Sequence, residues 1–113
     1  MEGITNKKVL ITAGATGIGK ATAIALMNAG AQVHVCDIDA QALADFKQHY
    51  PLLLTSITNV AKPDEVDAMF AQLQQDFSGE LDFLVNNAGV SGPAGHIETL
   101  DIEALKATFD VNL

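Results

Sequence analysis

The sequence predicts an α/β fold built on a doubly wound parallel sheet, with its first four strands in the order 3-2-1-4. Three observations predict it. Strand-like and helix-like segments alternate strictly through four strands, and each strand segment is nearly all apolar, as a strand covered on both faces by helices must be. The glycine-rich stretch ITAGATGIG, residues 11–19, joins the first strand to the first helix. Right-handed crossovers then lay out strands 3-2-1 and send the fourth to the other side of the first, so the winding reverses between strands 1 and 4.

Val9 to Thr12 is a short run rich in β-branched residues that ends at glycines, a buried strand entering a turn. The helix that follows is expected to start near Gly17 or Ile18. Its apolar positions at three-and-four spacing are Ile18, Ala21, Ile24, Ala25 and Ala29, with Gly30 where a left-handed C-terminal cap belongs. Gln32 to Cys36 reads as the second strand. Asp37-Ile38-Asp39 leads into a second helix with Leu43 and Phe46 three apart, stopped by Pro51. Leu52 to Ile57 is the third strand. Pro63 suits a first helical turn, and Asp64 and Glu65 beside it complement the helix dipole. That third helix carries Val66, Met69, Phe70, Leu73 and Phe77 on its apolar face and is closed by Gly79. Leu81 to Val85 is the fourth strand, followed by a glycine-bearing loop and a last helical pattern from near Thr99 or Asp101.

A chain of 113 residues holds one core, and 49% hydrophobic with 18% charged residues is a globular composition. Asp and Glu outnumber Lys and Arg 14 to 6, for a net charge of −8, which argues against a nucleic-acid partner, since that binding needs clustered basic side chains. The longest apolar runs, Ala23 to Met27 and Leu52 to Leu54, fall far short of a membrane span, and Met1 to Lys8 lacks the apolar core of a signal peptide, so a cytoplasmic protein is expected. The single cysteine, Cys36, sits in an apolar run and reads as a small buried hydrophobe. His34, His49 and His96 have no ligand spacing with one another or with Cys36, and no metal site is expected.

The placement of ITAGATGIG points to its use. In an open α/β sheet a ligand sits at the carboxyl ends of the strands beside the reversal, where glycines let the backbone turn sharply and approach closely and the first amides of the helix face an anion. A pyrophosphate fits this description; a plain strand-to-helix connection is the bland alternative. Asp37 follows Gly17 by twenty residues, close to the interval expected for a carboxylate that accepts from an adenosine ribose diol. Such a carboxylate repels a 2′-phosphate, and no basic residue stands at Thr16 or at Ile38 to neutralise one, so NAD is favoured over NADP. Asp37 also fits a turn or helix cap, a role Asp39 is equally placed to take. Asn86-Asn87-Ala88-Gly89 ends the fourth strand with two adjacent amides, suited either to a ligand or to bridging loop backbones. In the last helical pattern Ile102, Leu105, Phe109 and Leu113 form an apolar stripe with Asn112 at its edge, where an amide requires a partner.

ITAGATGIG, the strand-ending Asp37, NNAG at residues 86–89 and the terminal Asp110-Val111-Asn112-Leu113 together resemble the classical short-chain dehydrogenase/reductase family, and the resemblance runs across the whole chain. It implies a Rossmann-like domain over residues 1–113 that binds the cofactor through Thr12, Gly14, Thr16, Gly17, Ile18 and Gly19 in the glycine loop. Asp37, Ser56, Ile57, Asn86, Ala88 and Gly89 are implied at the ends of the other strands. The family's glycine motif is usually TGxxxGxG; Thr12, Gly17 and Gly19 match it, but Ala13 stands at the first glycine with Gly14 immediately after. Ser56-Ile57 stands where the family commonly has an adenine-facing aspartate. Asn112 falls in the implied catalytic tetrad, where it positions a water of the proton relay.

The other tetrad members, a serine and the tyrosine and lysine of a YxxxK segment, are expected beyond Leu113; the only tyrosine, Tyr50, has Leu54 four residues on. The resemblance thus implies the cofactor-binding part of an NAD-dependent oxidoreductase that moves a hydride between nicotinamide and an alcohol or carbonyl substrate. The parent is expected to be a homo-oligomer, and the 113 residues alone are expected to be inactive. A non-catalytic nucleotide-binding or assembly module is the alternative. A methyltransferase-like domain would share the strand-ending acid but leaves NNAG and VNL unexplained.

Overall fold

The computed structural model describes residues 3–87 and, for the backbone, Asp110–Val111. Strand β1 (Lys8–Thr12) leads to helix α1 (Gly17–Asn28), and β2 (Gln32–Asp37) to α2 (Ala40–His49). After β3 (Leu54–Ile57) come α3 (Pro63–Asp76), the short strands β4 (Glu80–Leu81) and β5 (Phe83–Val85), and β6 (Asp110–Val111). The main sheet is wholly parallel in the order β3-β2-β1-β5, so the predicted alternation and winding hold, with β5 as the fourth strand.

Side-chain alternation explains why the strands read as continuous apolar runs. Val9, Ile11, Val33 and Val35 pack with Ala23, Leu43, Phe46 and Leu53 on the α1–α2 side. Leu10 and Cys36 face the other way, onto Val66, Met69, Phe70, Leu73 and Phe77 of the α3 segment. Burial pushes the Cys36 thiol up to about 12, so this cysteine is the inert hydrophobe the sequence suggested.

Two expectations need correction. The apolar stripe assigned to α1 is not its buried face: Ile18 is 79% exposed, Ala21 and Ala25 are also exposed, Ile24 packs against the core only partly buried, and the residues buried are Gly19 and Ala23. At Gly19 the helix lies too close to the β1 turn for any side chain. A Cβ placed on Gly19 would sit 2.6 Å from the Ala13 carbonyl oxygen and 2.9 Å from the Gly14 Cα. The predicted fourth strand, Leu81 to Val85, is broken at Asp82, whose carboxylate accepts from the Lys8 N–H (2.9 Å) while its own N–H donates to the Lys8 carbonyl (2.8 Å). Pairing with β1 therefore begins at Phe83, and Glu80–Leu81 pairs instead with Asp110–Val111. Those last two residues are extended and paired, not helical. The rest of the expected last helix, with Ile102, Leu105, Phe109, Leu113 and Asn112, lies outside the described residues, as do Ala88, Gly89 and His96.

Candidate functional site

The site forms where β1, β2, β3 and β5 all end. Thr12, fully buried at the end of β1, ties two of them together: its hydroxyl donates to Asn86 Oδ1 (3.0 Å) and accepts from the Asn87 N–H (2.8 Å). The Asn87 side-chain amide in turn donates to the Ala13 carbonyl (3.2 Å). Asn87 was not singled out in the sequence as a site residue, yet it braces the turn on which the site is built. Its position beside Asn86 was the one available signal, and the bridging role left open for this pair is the one observed for it.

Between β1 and α1 the backbone turns through two left-handed residues, Ala13 (φ +52°) and Gly17 (φ +60°). Gly14 packs against β1 and β2, where a Cβ would meet Val35 Cγ1 at 2.7 Å and Ile11 Cγ2 at 3.2 Å. At Gly17 a Cβ would meet nothing within 4 Å, so the close approach of helix to strand is at Gly19, and the space before Gly17 is open. Thr16 precedes the helix in an extended conformation and makes no side-chain cap. The first intrahelical bond is from Lys20 N–H to the Thr16 carbonyl (3.2 Å), so the amides of Gly17, Ile18 and Gly19 come ahead of the helical ladder, beside that open space. This cradle has the room and the donors for a phosphate.

Asp37, at the end of β2, is bound to the same turn. Its Oδ2 accepts from the Ala15 N–H (3.1 Å) and its Oδ1 from the Asp39 N–H (3.0 Å). The helix cap is made by the other candidate: Asp39 Oδ1 accepts from the Ala42 N–H (3.0 Å) at the start of α2. Ile57 lies beside Asp37 in the β2–β3 register, and the Asp37 carbonyl accepts from the Thr58 N–H (2.9 Å). Ile18, Ile38 and Ile57 are all well exposed, at 79%, 69% and 64%, and present apolar surface at the strand ends where no core needs it. Ile38, read in the sequence only for the charge it lacks, thus joins the site's rim.

Ser56 has a different environment from that of a free pocket hydroxyl. It is paired with the fully buried His34, Nε2 to Oγ at 2.9 Å, and accepts from the Thr58 hydroxyl at 3.2 Å. Burial drives the His34 pKa down to about 4 against the opposing pull of the Asp76 carboxylate, so the ring is neutral at neutral pH. Tyr50 lies at the far end of α2, packed edge-on against Phe46 with centroids 5.4 Å apart, away from the glycine turn. Among the described residues no three metal-ligating side chains cluster.

Residues 7–113 match the family described as short chain dehydrogenase. The chain belongs to that family. Its members are oxidoreductases that use nicotinamide dinucleotides. Similar curated proteins include the short chain dehydrogenase/reductase dpchG of Colletotrichum higginsianum, 38% identical over 98% of this chain and 42% of the relative. The cyclohexanol dehydrogenase of an Acinetobacter species is 35% identical over 96% of this chain and 44% of the relative. Among solved structures, a short-chain type dehydrogenase/reductase from Mycobacterium marinum superposes with a TM-score of 0.71 at 30% identity, covering 93% of this chain and 43% of the other. The chain spans less than half the length of these relatives.

Proposed function

We propose that residues 1–113 form the NAD-binding part of a short-chain dehydrogenase/reductase that moves a hydride between nicotinamide and a small alcohol or carbonyl substrate. The observation that carries the reading is the bond from Ala15 N–H to Asp37 Oδ2, which sets the carboxylate directly against the glycine turn. A pyrophosphate held by the Gly17, Ile18 and Gly19 amides would then leave the adjoining ribose diol beside Asp37, which accepts its hydroxyl hydrogens. Thr12 and Asn86 hold the turn in shape, Gly14 and Thr16 set the approach to the helix, and Ile57 offers an apolar surface next to the ribose. The resemblance to the family assigns Ala88 and Gly89 to the same cofactor site and Asn112 to the proton relay.

When bound, the nicotinamide supplies hydride chemistry; the chain's own work is to bind and orient it. With Ile38 next to Asp37 and Thr16 in the turn, a 2′-phosphate would meet a carboxylate and no cation, which favours NAD over NADP. The acidic composition and the single buried cysteine suit a cytoplasmic enzyme.

Calorimetric titration of the intact protein and of Asp37→Ala tests the assignment. Loss of hydrogen bonds to a charged group is expected to weaken NAD by roughly 1.5–3 kcal/mol. Unchanged affinity in a folded variant would remove Asp37 from the site.

A further inference from the structure

We infer that His34 is a positioning residue for the purine end of the dinucleotide, holding the Ser56 hydroxyl so that it offers the ligand a hydrogen-bond acceptor and no donor. The inference rests on the adenosine placement above: a ribose at Asp37 carries its base over the partner strand, where Ile57 and Ser56 lie.

The chain of contacts begins on α3. Asp76 Oδ1 accepts from Gln72 Nε2 (3.1 Å), which leaves Oδ2 facing His34 Nδ1 at 3.7 Å. That nitrogen has no hydrogen-bond partner, and the carboxylate is the charged group beside it. A neutral imidazole carries one proton. On Nδ1 it points toward a negative charge; on Nε2 it would leave a lone pair facing that charge. The first tautomer wins electrostatically, so Nε2 is an acceptor and the Ser56 O–H donates to it. The Thr58 hydroxyl donates to Ser56 Oγ and occupies one of its two lone pairs. One lone pair remains, at a half-buried residue lining a cavity of about 330 Å³ between β3 and α3 with Ile57, Thr58, Glu65 and Gln72. Such a group accepts from an exocyclic amine and repels a ring carbonyl, so Ser56 selects a 6-aminopurine over a 6-oxopurine.

Asp76→Asn reverses the logic without touching the ligand. The asparagine carries no negative charge, so the preference for a proton on Nδ1 is lost. Nε2 can then carry the proton and donate to Ser56, which frees the serine O–H to donate to a ligand.

The test compares NAD with nicotinamide hypoxanthine dinucleotide by calorimetry on the intact protein, Ser56→Ala and Asp76→Asn, with circular dichroism to confirm folding. The unmodified protein is expected to bind the 6-amino dinucleotide about tenfold more tightly, the scale of one mismatched hydrogen bond. Ser56→Ala should bring the two within about threefold by the same reasoning, and Asp76→Asn should erase or invert the preference. Nitrogen-15 shifts of His34 should report protonated Nδ1 in the unmodified protein and protonated Nε2 in Asp76→Asn. A preference unchanged in either folded variant, or absent in the unmodified protein, overturns the inference while leaving NAD binding intact. Failure of both dinucleotides to bind refutes the cofactor reading itself, and this inference with it.

Discussion

Ala13 occupies a backbone conformation, φ +52°, that an L side chain enters at a cost of about 1–2 kcal/mol, at the first glycine position of the TGxxxGxG pattern that the turn resembles. The strain persists because the turn is held from both sides: the Ala13 carbonyl accepts from Asn87, and the next residue is packed against Val35. Ala13→Gly removes the strain and returns a smaller part as extra freedom of the unfolded chain. A gain in stability of up to about 1 kcal/mol is expected, read from the urea midpoint; a loss would mean that the Ala13 methyl contributes packing that outweighs the strain. His34 makes the second prediction at this scale. Its folded pKa, about 4, lies below the ordinary 6.5, so between those values the unfolded state binds the proton and the folded state does not. Stability is therefore complete above about pH 6.5 and falls as pH drops toward 4, by roughly 3 kcal/mol for this residue alone. Because Asp and Glu also titrate in acid, the quantity to measure is the difference between the protein and His34→Phe. That difference should grow in favour of the variant below pH 6, and a constant difference would contradict the buried neutral imidazole.

The elements show what sequence pattern can and cannot convey. Helix α3 is legible because its apolar residues are large, so Val66, Met69, Phe70 and Leu73 mark the buried face by size and spacing alone. Helix α1 is not, because it is apolar nearly all round and its contact face is defined by the smallest residues, Gly19 and Ala23. The break at Asp82 and the bracing by Asn87 depend on bonds to residues 74 positions away, which no local spacing encodes. By contrast, the glycine turn and Asp37 are recognisable because each sits at the end of its own strand. The two loop glycines should now respond differently to substitution. Gly19→Ala places a methyl against backbone atoms of Ala13 and Gly14, an overpacking cost of about 1–3 kcal/mol that improved helix propensity, worth about 1 kcal/mol, offsets only in part. Gly17→Val meets no neighbour but fills the open space before the helix and forces a branched side chain into positive φ. Thermal melts with NAD titrations separate them: Gly19→Ala should lose stability, and Gly17→Val should lose affinity beyond any loss of stability. Unchanged NAD binding by folded Gly17→Val would place the phosphate elsewhere.

At the scale of the whole molecule, the parallel sheet brings the ends of β1, β2, β3 and β5 to one edge, and every described residue assigned to the cofactor lies along it. The winding reverses between β1 and β5, so the turn after β1 stands at the opening, with Asp37 bound to it through the Ala15 N–H. The charge pattern at that edge carries the central claim: a carboxylate on the turn, apolar Ile38 after it, and no Lys or Arg from Ile11 to Gly19. Side-by-side calorimetric titration of the intact protein with NAD and with NADP tests that claim most directly. The structure predicts tighter binding of NAD, with a preference that collapses in Asp37→Ala as the repelling carboxylate is removed. Tighter binding of NADP by the unmodified protein would contradict it.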